Sequence, residues 1–452
     1  MILLRRRWVP AGLVVAVGGS LGLAAATYPL EAVALMVVGS IALSMVLYPR
    51  IGIPFVFISI ALSNAAGTLF TVGMPITLSK LSVMGALACW GLHTVLFGKR
   101  VLKLNKLTWV MLLPVASTLL SMAQGGGLNS VGINYLLSCL MLIVMVHYFD
   151  TVLQPTMLPE IGWYLAAGFV VIIAVGALTA EPVMDIHAER STGVFDNANL
   201  WAALMLCTAP VIIALIRKHT HWTAEVLIWA IVILVPINLF LTMSRTGLAS
   251  YLVAFPVLVV LLWDRRYKLL IALAAVLILA PVFADPAALF TRYSTLIEGR
   301  SEFDSSMQLR QDSVAYGLKL FYNNPLMGVG AGTFERESIL SSSGLAQSDP
   351  HNHYVRILAE EGLVGAVANI IFVGSIAWAL IYRLQRRFTT QTRFVALGML
   401  GSLFSLAMFG FGADMMTFAP AWAILGVGFV LFRDPGTSAS TPTAEPLRDA
   451  EC

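Results

Sequence analysis

Charge is scarce in this chain: Asp, Glu, Lys and Arg make up 12% of its 452 residues, roughly half of what a soluble domain carries. With 58% hydrophobic residues and a mean hydropathy of +0.84, that scarcity excludes a water-soluble protein with a large core. Cysteine is sparse as well. Of the four, Cys89, Cys139 and Cys207 stand inside apolar runs and Cys452 is the last residue, so they read as small buried hydrophobes and not as a disulfide framework. Strand-like alternation over about ten residues does not recur, which argues against a membrane β-barrel. No internal repeat is present. The net charge of +4 says little about a partner, and no nucleic-acid partner is expected.

What the chain has instead is long apolar runs. A spanning helix needs roughly 20 mostly apolar residues, and about fourteen candidates qualify. They centre near residues 18, 39, 62, 87, 115, 140, 169, 206, 233, 254, 276, 372, 402 and 425. The stretch 53–71 contains Ser63, Asn64 and Gly67, and the stretch 107–123 is short, so about twelve spans with re-entrant pieces are the alternative. The expected fold is an all-α polytopic membrane protein of about 12–14 transmembrane helices.

Basic residues orient it. Arg5 to Arg7, Arg50, Lys99, Arg100, Lys103, Lys106, Arg217, Lys218, Arg265, Arg266, Lys268, Arg383, Arg386 and Arg387 all fall on one side if every segment crosses. That side is the cytoplasm, with both termini in it. The first segment, basic at its start, leads straight into another apolar run and reads as an uncleaved helix. The expected organisation is a transmembrane bundle over 1–284, a periplasmic loop with short amphipathic helices over 285–361, further transmembrane helices over 362–433, and a disordered cytoplasmic tail over 434–452.

Polar sequence kept at the outer face is where function is expected. "EPVMDIHAERSTGVFDNANLWA" and "TMSRTGLAS" each hold an arginine against the positive-inside trend, Arg190 and Arg245. One reading is that each snorkels to the interface. Alternatively both bind an anion, because a guanidinium offers planar donors suited to a diphosphate. In the long loop, Val314, Leu318 and Phe321 recur at helical spacing, so Arg310–Tyr322 reads as an amphipathic helix on the membrane. "GVGAGTF" reads as a tight glycine turn; no Lys-Ser/Thr follows, so a phosphate-cradling loop is not supported. In "SDPHNHYVRILAEEGLVG", Asp349 reads as an N-cap with Pro350 at the first helical position, placing His351 and Asn352 in the first turn. There the helix dipole favours a neutral imidazole, as a general base needs. Arg356 and Glu360, four apart, should pair.

Metal chemistry is the competing idea. His351 and His353, two apart on a helix, diverge, and no histidine follows four residues on. Glu302 and Asp304 could ligate a divalent cation, but acidic residues in an outer loop are usually just solvated, and they are read so. No metal site and no cofactor is assigned.

Four pieces, "ERSTGVFDNANLWA", "SRTG", "RQDSVAYGLKLFYNNPLMGVGAGTF" and "PHNHYVRILAEEGLVG", together resemble the bacterial O-antigen ligase and polymerase superfamily. His351 and Asn352, followed by nine residues, Gly362, two more and Gly365, resemble the ligase signature. The resemblance implies that His351 is catalytic, that Arg190 and Arg245 are the essential periplasmic arginines, and that Arg310, Asn352 and Asn197 bind substrate. It also implies a metal-independent, inverting glycosyltransferase of the inner membrane with its active site facing the periplasm. Such an enzyme moves a glycan from undecaprenyl diphosphate to a sugar hydroxyl of lipid A–core, with His351 as base. No nucleotide is needed, since the diphosphate linkage carries the activation. The alternatives are an O-antigen or exopolysaccharide polymerase, a protein O-oligosaccharyltransferase, and, outside enzymes, a polytopic transporter or lipid flippase.

Overall fold

The computed structural model describes residues 29–53, 55–56, 68–71, 75–97, 106–125, 129–153, 157–179, 182–185, 188–191, 197–217, 221–242, 244–283, 305–340, 350–385 and 390–413. Its first helices are α1 (Pro29–Leu47), α2 (Leu78–Phe97), α3 (Lys106–Gln124), α4 (Ser130–Val152) and α5 (Leu158–Thr179). They are followed by α6 (Ala198–Ile216), α7 (Trp222–Thr242), α8 (Arg245–Leu261) and α9 (Arg266–Phe283). The last are α10 (Ser305–Asn323), α11 (Phe334–Leu340), α12 (His353–Gln385) and α13 (Thr390–Phe409). Two small antiparallel hairpins interrupt the helices: β1 (Thr68–Thr71) with β2 (Pro75–Thr77), and β3 (Pro182–Asp185) with β4 (Ala188–Ser191). The fold is an all-α polytopic membrane protein. Among the described residues five helices are long and apolar enough to cross a membrane, or six if α8 and the stretch after it form one span. Those two meet at an angle of 81°. Helices stand at eleven of the expected centres, from 39 and 87 through 402. The segments centred near 18, 62 and 425, and the tail from 434, lie outside the described residues.

The core explains itself from α6. Its residues from Trp201 to Ile216 are all buried, as expected of a helix that is apolar all round. Helices α5, α7, α8 and α13 pack around it. Without a hydrophobic drive between helices in lipid, close packing needs small residues. Gly398 and Gly401 of α13 supply them: a Cβ on Gly398 would stand 2.6 Å from the Pro210 carbonyl oxygen, and one on Gly401 would stand 2.8 Å from Val257 Cγ1 of α8. Ser402 Oγ then donates to the Cys207 carbonyl at 2.6 Å. Cys139 and Cys207 are buried, Cys89 is half-buried, and all three are free thiols, matching the reading of them as small core residues.

Polar contacts define the two ends of this group. At one, Arg217 meets Asp264 at 3.1 Å, Arg265 meets Glu225 at 2.6 Å, and Gln391 Nε2 donates to the Ala214 and Leu215 carbonyls. The guanidinium of Arg217 lies over the Phe394 ring at 3.5 Å. The C-terminus of α6, both sides of the α8–α9 bend and the start of α13 are thus gathered where basic residues cluster. The N-termini of α6, α8 and α12 and the C-terminus of α13 gather at the other end.

Helix α12 is broken. Gly362 has φ 64° and ψ −156°, a conformation open to glycine. The loop after α10 fills the break: Leu363 N donates to Pro325 O and Val364 N to Leu326 O, while Val329 N donates to Ala359 O and Gly330 N to Glu360 O. The glycine turn read from the sequence forms here, with Gly328, Gly330 and Gly332 all at positive φ. Beyond the break, Leu363 to Arg383 rises about 30 Å towards the basic end, and α13 rises about 25 Å from Thr390 to Ala407. Tyr354 Oη donates to the Ala407 carbonyl, so Tyr354 and Gly362 stand at nearly the same height. The segment His353–Glu361 therefore lies across the end of the bundle. Helix α10 lies along it, since a Cβ on Gly317 would touch Val355 Cγ1 at 2.5 Å.

Candidate functional site

The helical cap differs from the sequence expectation. Asn352, not Asp349, caps α12: its Oδ1 accepts from Tyr354 N and Val355 N, both at 3.1 Å. Asp349 lies outside the described residues. His351 therefore stands just before the cap and not in the first turn. Its φ is 49°, the left-handed region that a residue with a Cβ adopts at a cost of about 1–3 kcal/mol. Such outliers persist where surrounding structure holds them, and this one sits on the residue singled out as the base. His351 is half-buried.

Three neighbours locate it. The His353 N–H donates to Gly410 O at 2.8 Å. Tyr354 packs on Phe411 with ring centroids 4.7 Å apart. Gly412 lies so close to Thr246 that a Cβ would stand 2.1 Å from Oγ1. The turn Gly410–Gly412 thus touches the start of α12 on one flank and the start of α8 on the other. Arg245 is the first residue of α8, beside Thr246. His351 and Arg245, distant in sequence, come to the same end of the bundle through this turn.

The start of α8 is itself built from hydroxyl and amide groups. Ser244 is the N-cap, accepting from Gly247 N at 3.0 Å and donating to Asn199 Oδ1 at 2.8 Å. Asn197 caps α6 and accepts from Asn199 N at 2.8 Å. Two helix N-termini therefore adjoin, and both present positive dipole ends beside Arg245. Arg310 is placed by register along α12. It precedes Gly317 by seven residues, so the two share a face of α10, and that face meets α12. Two turns before Gly317, which touches Val355 and Ala359, Arg310 stands level with the residues just before α12. The buried stripe is Ser313, Gly317 and Leu320, with Val314, Leu318 and Phe321 half-buried beside it. The helix is amphipathic as expected, but its inner face is turned by one residue. Arg190 lies in β4, paired with Val183, and β4 packs on α7; its side chain lies outside the described residues. Among the described residues no three His, Cys, Asp or Glu side chains converge as metal ligands, and Glu302 and Asp304 are outside them.

Sequence reading found one part of the support beneath this site and missed the rest. Arg356 and Glu360 do pair, at 3.5 Å, with side chains 9% and 2% exposed. The Glu360 carboxylate also accepts from Gly332 N at 2.8 Å and Phe334 N at 3.1 Å, and Arg356 lies over the Tyr135 ring at 4.9 Å. Its neighbour Glu361 accepts from Ser117 Oγ at 2.8 Å and Thr118 Oγ1 at 3.0 Å of α3. The glutamates point to opposite partners, one to the glycine loop and one to α3, and together fasten the crossing segment. A signal existed: two adjacent carboxylates directly before a glycine and an apolar run need partners if the run enters lipid.

Residues 229–370 match the family model described as O-antigen ligase. The matched stretch is under a third of the chain, and the similarity is that of this stretch to the family. It includes Arg245, Arg310, His351, Asn352 and the Arg356–Glu360 pair, and leaves Arg190 and Asn197 outside. No curated protein gave a match.

Proposed function

We propose that this protein is an O-antigen ligase of the bacterial inner membrane, transferring O-antigen from undecaprenyl diphosphate to a sugar hydroxyl of lipid A–core. The observation that carries the reading is the Gly410–Gly412 turn, which touches both the His351 end of α12 and the Arg245 end of α8; those two ends lie inside the matched stretch, and the turn lies beyond it. In the proposed reaction an imidazole nitrogen of His351 takes the proton of the acceptor hydroxyl. That oxygen bonds to the anomeric carbon as the bond to the diphosphate oxygen breaks, with inversion. Arg245, the adjoining helix N-termini and Arg190 stabilise the charge on the departing undecaprenyl diphosphate. Arg310, Asn352 through its Nδ2, and Asn197 hold substrate. No metal takes part. The basic end faces the cytoplasm, together with both termini, and the His351 end faces the periplasm.

A deletion strain tests the function. The expected surface profile is lipid A–core without O-antigen, with lipid-linked polymer accumulating. Short O-antigen still joined to core would instead identify a polymerase, and an unchanged glycolipid profile would remove the reading.

A further inference from the structure

The residue at the centre of the connecting turn has no role in the scheme above. Phe411 is 61% exposed. Gly410 on one side holds the His353 N–H, and Gly412 on the other lies against Thr246, next to Arg245. Phe411 therefore stands between a residue that touches the start of α12, two positions after the base, and one that touches the start of α8, next to the diphosphate arginine; the reaction scheme needs a sugar ring between those two ends. Its ring is not loose. It packs at 4.7 Å and 49° on Tyr354, whose hydroxyl is tied to the Ala407 carbonyl. An aromatic face held rigidly beside a polar rim suits the apolar C–H face of a pyranose, whose hydroxyls would remain for Asn352 and Arg310.

We propose that Phe411, backed by Tyr354, is a stacking platform for a sugar ring at the transfer site, and so a specificity-determining residue. The inference rests on the transferase reading. The shared chemistry is a pyranose face; the ring could belong to donor or acceptor, and the kinetics separate the two. Exposed aromatics near membrane ends also occur simply as interfacial anchors, and the test distinguishes this.

Purified full-length protein would be assayed with undecaprenyl-diphosphate-linked glycan and lipid A–core, each varied in turn. Phe411→Leu keeps the apolar character and loses the ring. It should raise the KM for one substrate about tenfold, as expected for a lost stacking contact. Phe411→Trp should stay near wild type, which also shows that the turn still folds. A raised donor KM assigns the ring to the donor, and a raised acceptor KM to the acceptor. Wild-type values for both in Phe411→Leu would overturn the platform in favour of a lipid anchor. Saturation-transfer NMR with the free oligosaccharide reads stacking without turnover and should be lost in Phe411→Leu. Saturation transfer in an inactive wild type would overturn the transferase reading while leaving the platform standing; no transfer to the sugar in wild type would overturn the platform.

Discussion

His351 shows how one residue's setting decides its chemistry. Its left-handed backbone stands just ahead of the cap made by Asn352, outside the helix and at the bundle end. His351→Ala should lower glycan transfer by about 10²- to 10⁴-fold, the usual contribution of a general base. His353→Ala should retain substantial activity, because the contact seen for His353 with Gly410 is made by its backbone N–H, which alanine keeps. Equal loss in both variants would refute a single base. Arg245→Lys should lose about 10²-fold, as for removal of a donor at a developing charge; wild-type rates would make Arg245 an interfacial anchor. At this scale the sequence singled out His351 by its spacing to Gly362 and Gly365. It misassigned the cap because Asp349 and Asn352 are both good capping residues, three apart, and only tertiary contacts with Gly410 select between them.

At the scale of elements, the broken helix and the glycine loop are one device. A Cβ on Gly362 would stand 2.5 Å from the Leu326 carbonyl carbon, and one on Gly328 would stand 2.3 Å from that of Glu360. Each closes on the backbone of the other's segment. Gly362→Ala should destabilise by at least about 1–3 kcal/mol from backbone conformation alone, read as a lower melting temperature in detergent and loss of transfer. Gly374→Ala on the same helix is the control: nothing lies within 4 Å of its Cβ position, and it should be neutral or stabilise by up to about 1 kcal/mol. Equal melting temperatures for the two variants would show that the break carries no structural weight. Periodicity revealed α10 and the glycine turn. It could not show which stripe of α10 faces inward, because Ser313 and Gly317 are not apolar and only the packing against α12 selects them. Nor could it show that the turn's purpose is to receive the backbone of α12.

For the whole molecule, the expectation of a helical bundle with one basic end was legible because hydropathy and charge act through lipid and need no knowledge of packing. The 81° meeting of α8 with the next stretch was not legible, since composition there is the same whether the chain crosses or turns. Cysteines introduced at Lys268 and Asp312, both exposed, should label from opposite sides. An impermeant maleimide should reach position 312 in cells with a permeable outer membrane, and position 268 only after the inner membrane is opened; the reverse would invert the orientation. Transfer should also survive EDTA. Activity lost to chelation and restored by magnesium or manganese would overturn the metal-free scheme.

The break at Gly362 also sets a bilayer thickness. The part of α12 beyond it, from Leu363 to Gln385, is about 35 Å long, close to a hydrocarbon core of about 30 Å once tilt is allowed. A continuous helix can slide or tilt to suit a thicker membrane, but this one is stopped by four backbone hydrogen bonds to residues 325–330. Mismatch must then be borne by the lipid. In bilayers of long acyl chains, hydrocarbon would rise over the crossing segment and wet the approach to His351 with lipid instead of water. Turnover should therefore depend on chain length, falling as the reconstituted membrane thickens, while the protein itself stays folded.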